Sequence, residues 1–231
     1  MDAEQMIREI KPDFQDVGYY FGQYLEKYIK PDSRLLDIGC GHNAFGHEYY
    51  RRAAERVGLD PDFEALQAND LMDRKINCLI EDTPADIGQF DVIVAQWVLE
   101  HLSDPEKTAS ALERLAKPGA YFIFMTTNIY SPLILASKIL PTRVKKFLRH
   151  KLLGINENDT YPTQYKMNTP AKIDKILSQH GFERVSLKTT GVLSYFTFNN
   201  KALRVKVEFD KLFGKISRFD THIVGVYQKR H

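Results

Sequence analysis

Cysteine is scarce in this 231-residue chain: only Cys40 and Cys78 occur, without CxxC or other ligand spacing. A disulfide framework and a structural zinc site are therefore not expected. Long apolar runs are missing as well, since no stretch approaches the ~20 residues that span a bilayer. Met1-Asp2-Ala3-Glu4 has neither the basic flank nor the apolar core of a secretory signal. Internal repeats and low-complexity tracts are absent. Nor is there a large charge imbalance, because 32 Lys and Arg oppose 30 Asp and Glu. These absences lead us to expect a reduced, cytoplasmic, single domain over residues 1–231. Its 43% hydrophobic content is enough to fill a core.

The small net charge conceals an uneven distribution. Residues 129–168 carry net +5 and residues 201–218 net +4, so the remainder carries −7. Such concentration speaks about partners. Within 133–153, Val144, Phe147, Leu148 and Leu152 share a helical face flanked by Arg143, Lys145, Lys146, Arg149 and His150. A basic amphipathic stretch of this kind suits a lid, or peripheral contact with the anionic inner face of a membrane. Its charges stand among aliphatic residues without an aromatic stacking pattern, so no nucleic acid partner is expected.

The informative stretch lies between residues 34 and 60. Leu35, Leu36 and Ile38 form a short apolar run between Pro31-Asp32-Ser33 and Gly39-Cys40-Gly41, the pattern of a buried strand. Gly39 and Gly41 lack a Cβ and let the backbone turn sharply and approach a ligand. Phe45, Tyr49 and Ala53 recur at helical spacing and predict a helix over 45–56. Val57-Gly58-Leu59 then predicts a second strand ending at Asp60. Strand, glycine turn, helix, strand and acid make up the first half of a doubly wound α/β sheet. A ligand of such a sheet sits at the carboxyl ends of the strands. Gly39-x-Gly41-x-x-Ala44, with Asp60 19 residues beyond Gly41, fits a nucleotide fingerprint. Alone, it does not separate a nicotinamide dinucleotide from an S-adenosyl nucleoside.

Later blocks supply the context. Phe90-Asp91-Val92-Ile93-Val94-Ala95 runs into Val98-Leu99-Glu100-His101-Leu102, and Leu115-Ala116-Lys117-Pro118-Gly119 precedes Tyr121-Phe122-Ile123-Phe124. Together with Leu36-Asp37-Ile38-Gly39-Cys40-Gly41, these blocks resemble the ordered signatures of class I S-adenosylmethionine (SAM) methyltransferases of the type-11-like bacterial kind. The resemblance covers about residues 35–127. It implies a Rossmann-like, mostly parallel seven-stranded sheet with an antiparallel last strand. An N-terminal helix at 13–30 and helical cap insertions at about 129–168 and 192–219 complete the expected domain. It also implies SAM as cofactor and S-adenosylhomocysteine as product; given the two basic segments, we expect methyl transfer to an O or N atom of a small, anionic or lipid-like acceptor. A membrane-surface quinone or lipid methyltransferase, a non-catalytic SAM-binding module and a nicotinamide enzyme are the alternatives.

The resemblance also assigns roles. Asp37 would order the methionine end of SAM beside Gly39, Cys40 and Gly41, and Asp60, followed by Pro61, would take the ribose hydroxyls. The acid that usually meets the adenine amino group is displaced: one alignment puts Leu79 there, another Glu81 or Asp82. Gln96 would meet the amino-acid end, and Trp97 would wall the methyl pocket or fill the core. His101 is the candidate base for a hydroxyl acceptor; Glu100 and His101 could equally cap and pack the next helix. No metal is expected, because Gln96 and Trp97 leave too few ligands where some quinone-pathway relatives bind one. Tyr161, Tyr165 and Asn168 would face the acceptor or fix the base of the cap. Further strands are expected at 76–80, 90–95, 121–125, 185–188 and 222–227, with helices ending near 117 and spanning 170–179.

Overall fold

The computed structural model describes residues 15–42, 45–132, 134–135, 162–191 and 220–231. Among them seven strands form one sheet: β1 (Arg34–Ile38), β2 (Glu55–Leu59), β3 (Arg74–Ile76), β4 (Phe90–Gln96), β5 (Ala116–Thr127), β6 (Phe182–Thr190) and β7 (His222–Lys229). Their order is β3-β2-β1-β4-β5-β7-β6. Neighbours pair in parallel from β3 to β5, whereas β7 runs antiparallel to both β5 and β6. This is the doubly wound sheet with an antiparallel last strand that the sequence predicts. Strand order reverses between β1 and β4, and a crevice for a ligand opens at such a switch point.

Five α-helices that lie wholly among the described residues accompany it: α1 (Val17–Tyr28), α2 (His47–Tyr50), α3 (Phe63–Ala68), α4 (Pro105–Leu115) and α5 (Pro170–Gln179). Their ends follow local chemistry. The Asp16 carboxylate accepts the Tyr19 amide at 2.8 Å and starts α1, which then buries Val17, Phe21 and Leu25 at four-residue steps. Asp104 and Thr169 cap α4 and α5, each followed by proline at the first helical position. Gly181, at φ 77°, lies just beyond α5.

Alternating residues divide the core into two layers. Leu36, Ile38, Ile93, Ala95, Phe122 and Phe124 pack with α4 and α5, while Leu35, Val92, Val94, Ile123 and Met125 pack with α1. A sheet covered on both faces needs strands that are apolar on both sides, which is why β4 reads as a continuous hydrophobic run.

Two predicted elements are corrected. The helix expected over 45–56 is confined to His47–Tyr50. Gly46 adopts φ 79° and a Cβ there would lie 2.6 Å from Leu25 Cδ1, so the chain turns tightly beneath α1 instead of winding on. Glu55 is already committed to β2, opposite Arg34. The third strand is Arg74–Ile76, not 76–80, because pairing with Val57, Gly58 and Leu59 fixes its register. Ile80–Asp82 is a 3-10 turn, closed by Thr83 Oγ1 donating to the Ile80 carbonyl at 2.6 Å. Residues 13–14, the insertion at 192–219, and 136–161 of the other insertion lie outside the described residues. So does the amphipathic stretch 133–153, apart from Ile134 and Leu135. Among the described residues, no helix is long and apolar enough to cross a membrane.

Candidate active site

The site begins with the turn after β1. Gly39 and Cys40 both donate their amides to the Leu59 carbonyl, at 2.7 and 3.1 Å, which folds the turn over the end of β2. Gly39 adopts φ 65° and Gly41 φ 48°, a region that L side chains disfavour. Their surroundings differ. A Cβ on Gly39 would lie 2.5 Å from Val98 Cγ2, whereas one on Gly41 would meet nothing within 4 Å. Gly39 is thus locked against the chain leaving β4, and Gly41 borders open space.

Asp60 braces this turn. One carboxylate oxygen accepts the Gly41 amide and the other the Asp62 amide, both at 2.8 Å, and the residue is 6% exposed. Each oxygen keeps a further lone pair, so the carboxylate can still accept a sugar hydroxyl. Pro61, next to it, is exposed. Asn69 is a brace that sequence reading misses. Its buried amide donates to the Cys40 and Gly41 carbonyls, at 3.1 and 3.0 Å. Nothing in the spacing of Asn69 marks it, because its contact exists only once α3 has folded back over the turn.

Asp37, at the carboxyl end of β1, is the outlier of the site. It is 1% exposed, and among the described residues neither carboxylate oxygen has a formed hydrogen bond. Burial pushes its carboxyl well above the usual range, and the neighbouring Asp60 charge adds to this. The Tyr50 hydroxyl, within interaction range of the carboxyl, opposes the shift. Cys40 is buried, and burial pushes its thiol up too, so it is no thiolate nucleophile.

Gln96 closes the crevice from β4. Its Oε1 accepts the Phe45 amide at 3.1 Å, while its Nε2 donates to the Phe45 carbonyl at 3.2 Å and the Tyr50 hydroxyl at 2.9 Å. Trp97 follows at φ 57°, its amide bonded to the Met125 carbonyl at 3.0 Å. The indole is half-buried, edge-on to His222 at a centroid distance of 4.9 Å. Burial pushes the His222 imidazole down to about 4, so it presents a neutral ring. Glu81 turns toward α4 and accepts from Thr108, whereas Asp82 beside it is exposed.

A second polar cluster occupies the carboxyl ends of β4 and β5. Thr126 Oγ1 donates to the buried Glu100 carboxylate at 2.7 Å and accepts from Asn168 Nδ2 at 2.7 Å. Burial raises the Glu100 carboxyl above its ordinary value, against the lowering bond from Thr126. Asn168 is fully buried, and its Oδ1 has no hydrogen-bond partner among the described residues. The Glu100 carbonyl accepts the amides of Gln164 and Tyr165, at 2.7 and 3.0 Å, and Lys166 Nζ donates to the Ser103 carbonyl. Residues 162–168 therefore form a strap across the turn that carries His101. The His101 Nδ1 lies 3.0 Å from the Pro162 carbonyl. A carbonyl only accepts, so Nδ1 holds the proton and Nε2 is the basic nitrogen of the neutral ring. Tyr165, like Trp97, adopts a positive φ, of 54°. Strained backbone at two aromatic residues on one sheet edge is characteristic of a functional rim.

Thus Asp37, Gly39, Cys40, Gly41, Asp60 and Gln96 converge on one crevice, and His101, Tyr165 and Asn168 on an adjoining cluster. The two meet where Val98 packs on Gly39. Tyr161 lies outside the described residues. The crevice fits an S-adenosyl nucleoside: an uncompensated buried acid for an ammonium group, unobstructed space at Gly41, and a carboxylate for a ribose.

Comparisons with known proteins agree. Residues 4–187 match the family described as "Methyltransferase domain". A ubiquinone biosynthesis O-methyltransferase from Hahella chejuensis is 32% identical over 141 residues, which cover 55% of this chain and 56% of that protein. The chain thus spans just over half the length of this curated relative. Among solved structures, the YcgJ protein from Bacillus subtilis superposes with a TM-score of 0.59 at 13% identity, covering 92% of this chain and 99% of the other. An S-adenosylmethionine-dependent methyltransferase from Mesorhizobium loti gives 0.59 at 13% identity, over 91% and 97% of the two chains. At such identity these likenesses speak for the fold. The family match spans most of the chain, and the chain belongs to the SAM-dependent methyltransferase domain family, built on the class I Rossmann-like fold.

Proposed function

We propose that the protein transfers the methyl group of SAM to a hydroxyl oxygen of a small-molecule acceptor. The observation that carries this reading is the Asp37 carboxylate, buried without a partner beside a glycine turn whose second glycine borders open space. Such an acid stays protonated until a ligand's cation lets it ionise. Oxygen as the acceptor atom is supported by the O-methyltransferase relative from Hahella chejuensis. When bound, SAM supplies an electrophilic methyl on a sulfonium, whose leaving group needs no protonation.

The residues of this chain do the remaining work. Asp37, the Gly39–Gly41 turn and Asp60 hold the nucleoside, and Trp97 with neutral His222 forms an aromatic wall at the exit of β4. His101, its Nδ1 proton held by Pro162, accepts the hydroxyl proton at Nε2. Alignment of oxygen with methyl, in a site shielded from water, accounts for up to ~7–11 kcal/mol of barrier lowering.

The test is incubation of a cell extract with the enzyme and SAM carrying a deuterated methyl, followed by mass spectrometry. A labelled methyl ether is expected; the absence of any labelled small molecule would reject the reading. His101→Ala should lower turnover by roughly 10²–10⁴-fold while leaving S-adenosylhomocysteine affinity unchanged. Unchanged turnover with a hydroxyl acceptor would remove His101 as the base.

A further inference from the structure

Tyr50 has no part in the scheme above, yet its position is unusual. It is 0% exposed, at the end of α2, and its hydroxyl accepts from Gln96 Nε2 at 2.9 Å. The same Gln96 amide grips the Phe45 backbone through both its oxygen and its nitrogen, so it cannot swing freely. The Tyr50 oxygen is thereby fixed, and its own proton remains to be donated. The neighbouring acceptor in need of a donor is Asp37, whose oxygens have no formed hydrogen bond among the described residues. Phenol and carboxylate act on one another at close range, for each alters the other's proton affinity.

We propose that Tyr50 is a positioning residue for the cofactor: with its oxygen anchored by Gln96, it turns its hydroxyl proton onto Asp37 as the ligand's ammonium group arrives. The carboxylate is then shared between one fixed donor and one incoming cation, instead of being oriented by the ligand alone. A buried carboxylate left with a single partner keeps unmet acceptor sites, and a second donor stabilises its charged form. The other titratable groups facing Asp37 are Asp60 and Cys40. Neither supplies this donor: both Asp60 oxygens already accept backbone amides, from Gly41 and Asp62, and Asp37 raises the Cys40 thiol instead of drawing its proton. The inference rests on the cofactor reading given above, and the experiment separates the two.

Binding of S-adenosylhomocysteine and of 5′-methylthioadenosine, which lacks the amino-acid end, is measured by calorimetry for the wild type, Tyr50→Phe and Gln96→Met. Tyr50→Phe should weaken S-adenosylhomocysteine binding by about tenfold, the worth of a hydrogen bond to a charged group, and leave methylthioadenosine binding intact. Gln96→Met, which frees the phenol, should give a smaller loss with the same selectivity. The fall in S-adenosylhomocysteine affinity on acidification should begin at higher pH in Tyr50→Phe than in the wild type, because Asp37 has lost the group that favours its ionised form. Equal losses for both ligands, no loss for either, or an unmoved pH profile would overturn the role of Tyr50. A wild type that binds neither nucleoside would overturn the cofactor reading as well.

Discussion

Gly39 and Gly41 look interchangeable in the sequence, and their surroundings make them opposites. Alanine at either position bears the left-handed penalty of roughly 1–2 kcal/mol. At residue 39 the added methyl would also strike Val98, 2.5 Å away, so Gly39→Ala should unfold at markedly lower denaturant than wild type. At residue 41 it would project into open space, so Gly41→Ala should fold with only that modest penalty and lose nucleoside binding. Denaturation curves beside calorimetric titrations would distinguish the two. Asp37 illustrates the conflict between stability and binding. Its folded-state pKa lies above that of an unfolded aspartate, about 3.9, so the native state holds the extra proton. Stability of the ligand-free protein therefore falls as pH rises from that value toward the folded pKa. Asp37→Asn should raise the melting temperature of the free protein at pH 7. The gain should vanish below about pH 3.9, where Asp37 is protonated in both states. The variant should bind S-adenosylhomocysteine poorly.

The elements were legible where their signals are local. Thr169-Pro170 and Gly181 bracket α5, and the apolar run of β4 marks a strand buried on both faces. The motif residues Asp37, Gly39, Gly41 and Asp60 could be found together because the fold of β1, turn and β2 is nearly continuous in sequence. By contrast, the shortening of α2 depends on Leu25 occupying the space beside Gly46, and the start of β3 depends on its partner strand. Neither is visible locally. Tyr50, Asn69 and Thr126 escaped for the same reason, since each gains its role from a contact at least 26 residues away. Thr126 tests the link between the strap and the sheet. Thr126→Val leaves Glu100 and Asn168 each short of a partner, a destabilisation of roughly 1–3 kcal/mol. Its denaturation midpoint should fall, turnover should drop, and S-adenosylhomocysteine affinity should stay within about twofold of wild type because the glycine turn is untouched.

At the scale of the whole molecule, a ligand that satisfies Asp37 and bridges β1, β2 and β4 should stabilise the folded state as a unit. At 100 times its dissociation constant, S-adenosylhomocysteine adds about 2.7 kcal/mol, which for a domain of this size corresponds to roughly 5–10 °C in melting temperature. A nicotinamide dinucleotide should give no shift.

The described ends of both insertions are stitched into one knot. Asn128 bonds the Thr221 carbonyl through its amide and the Asp220 carbonyl through its side chain, each at 2.8 Å, and the Ile129 amide bonds the Asn168 carbonyl at 3.0 Å. With their roots pinned, these segments can lengthen or shorten at little entropic cost, since closure entropy grows only with the logarithm of length. On the proposed reading, in which these segments cap the acceptor, substrate preference could drift by exchange of whole segments between homologues, like heads on a common handle, while the turn that holds the methyl donor is kept.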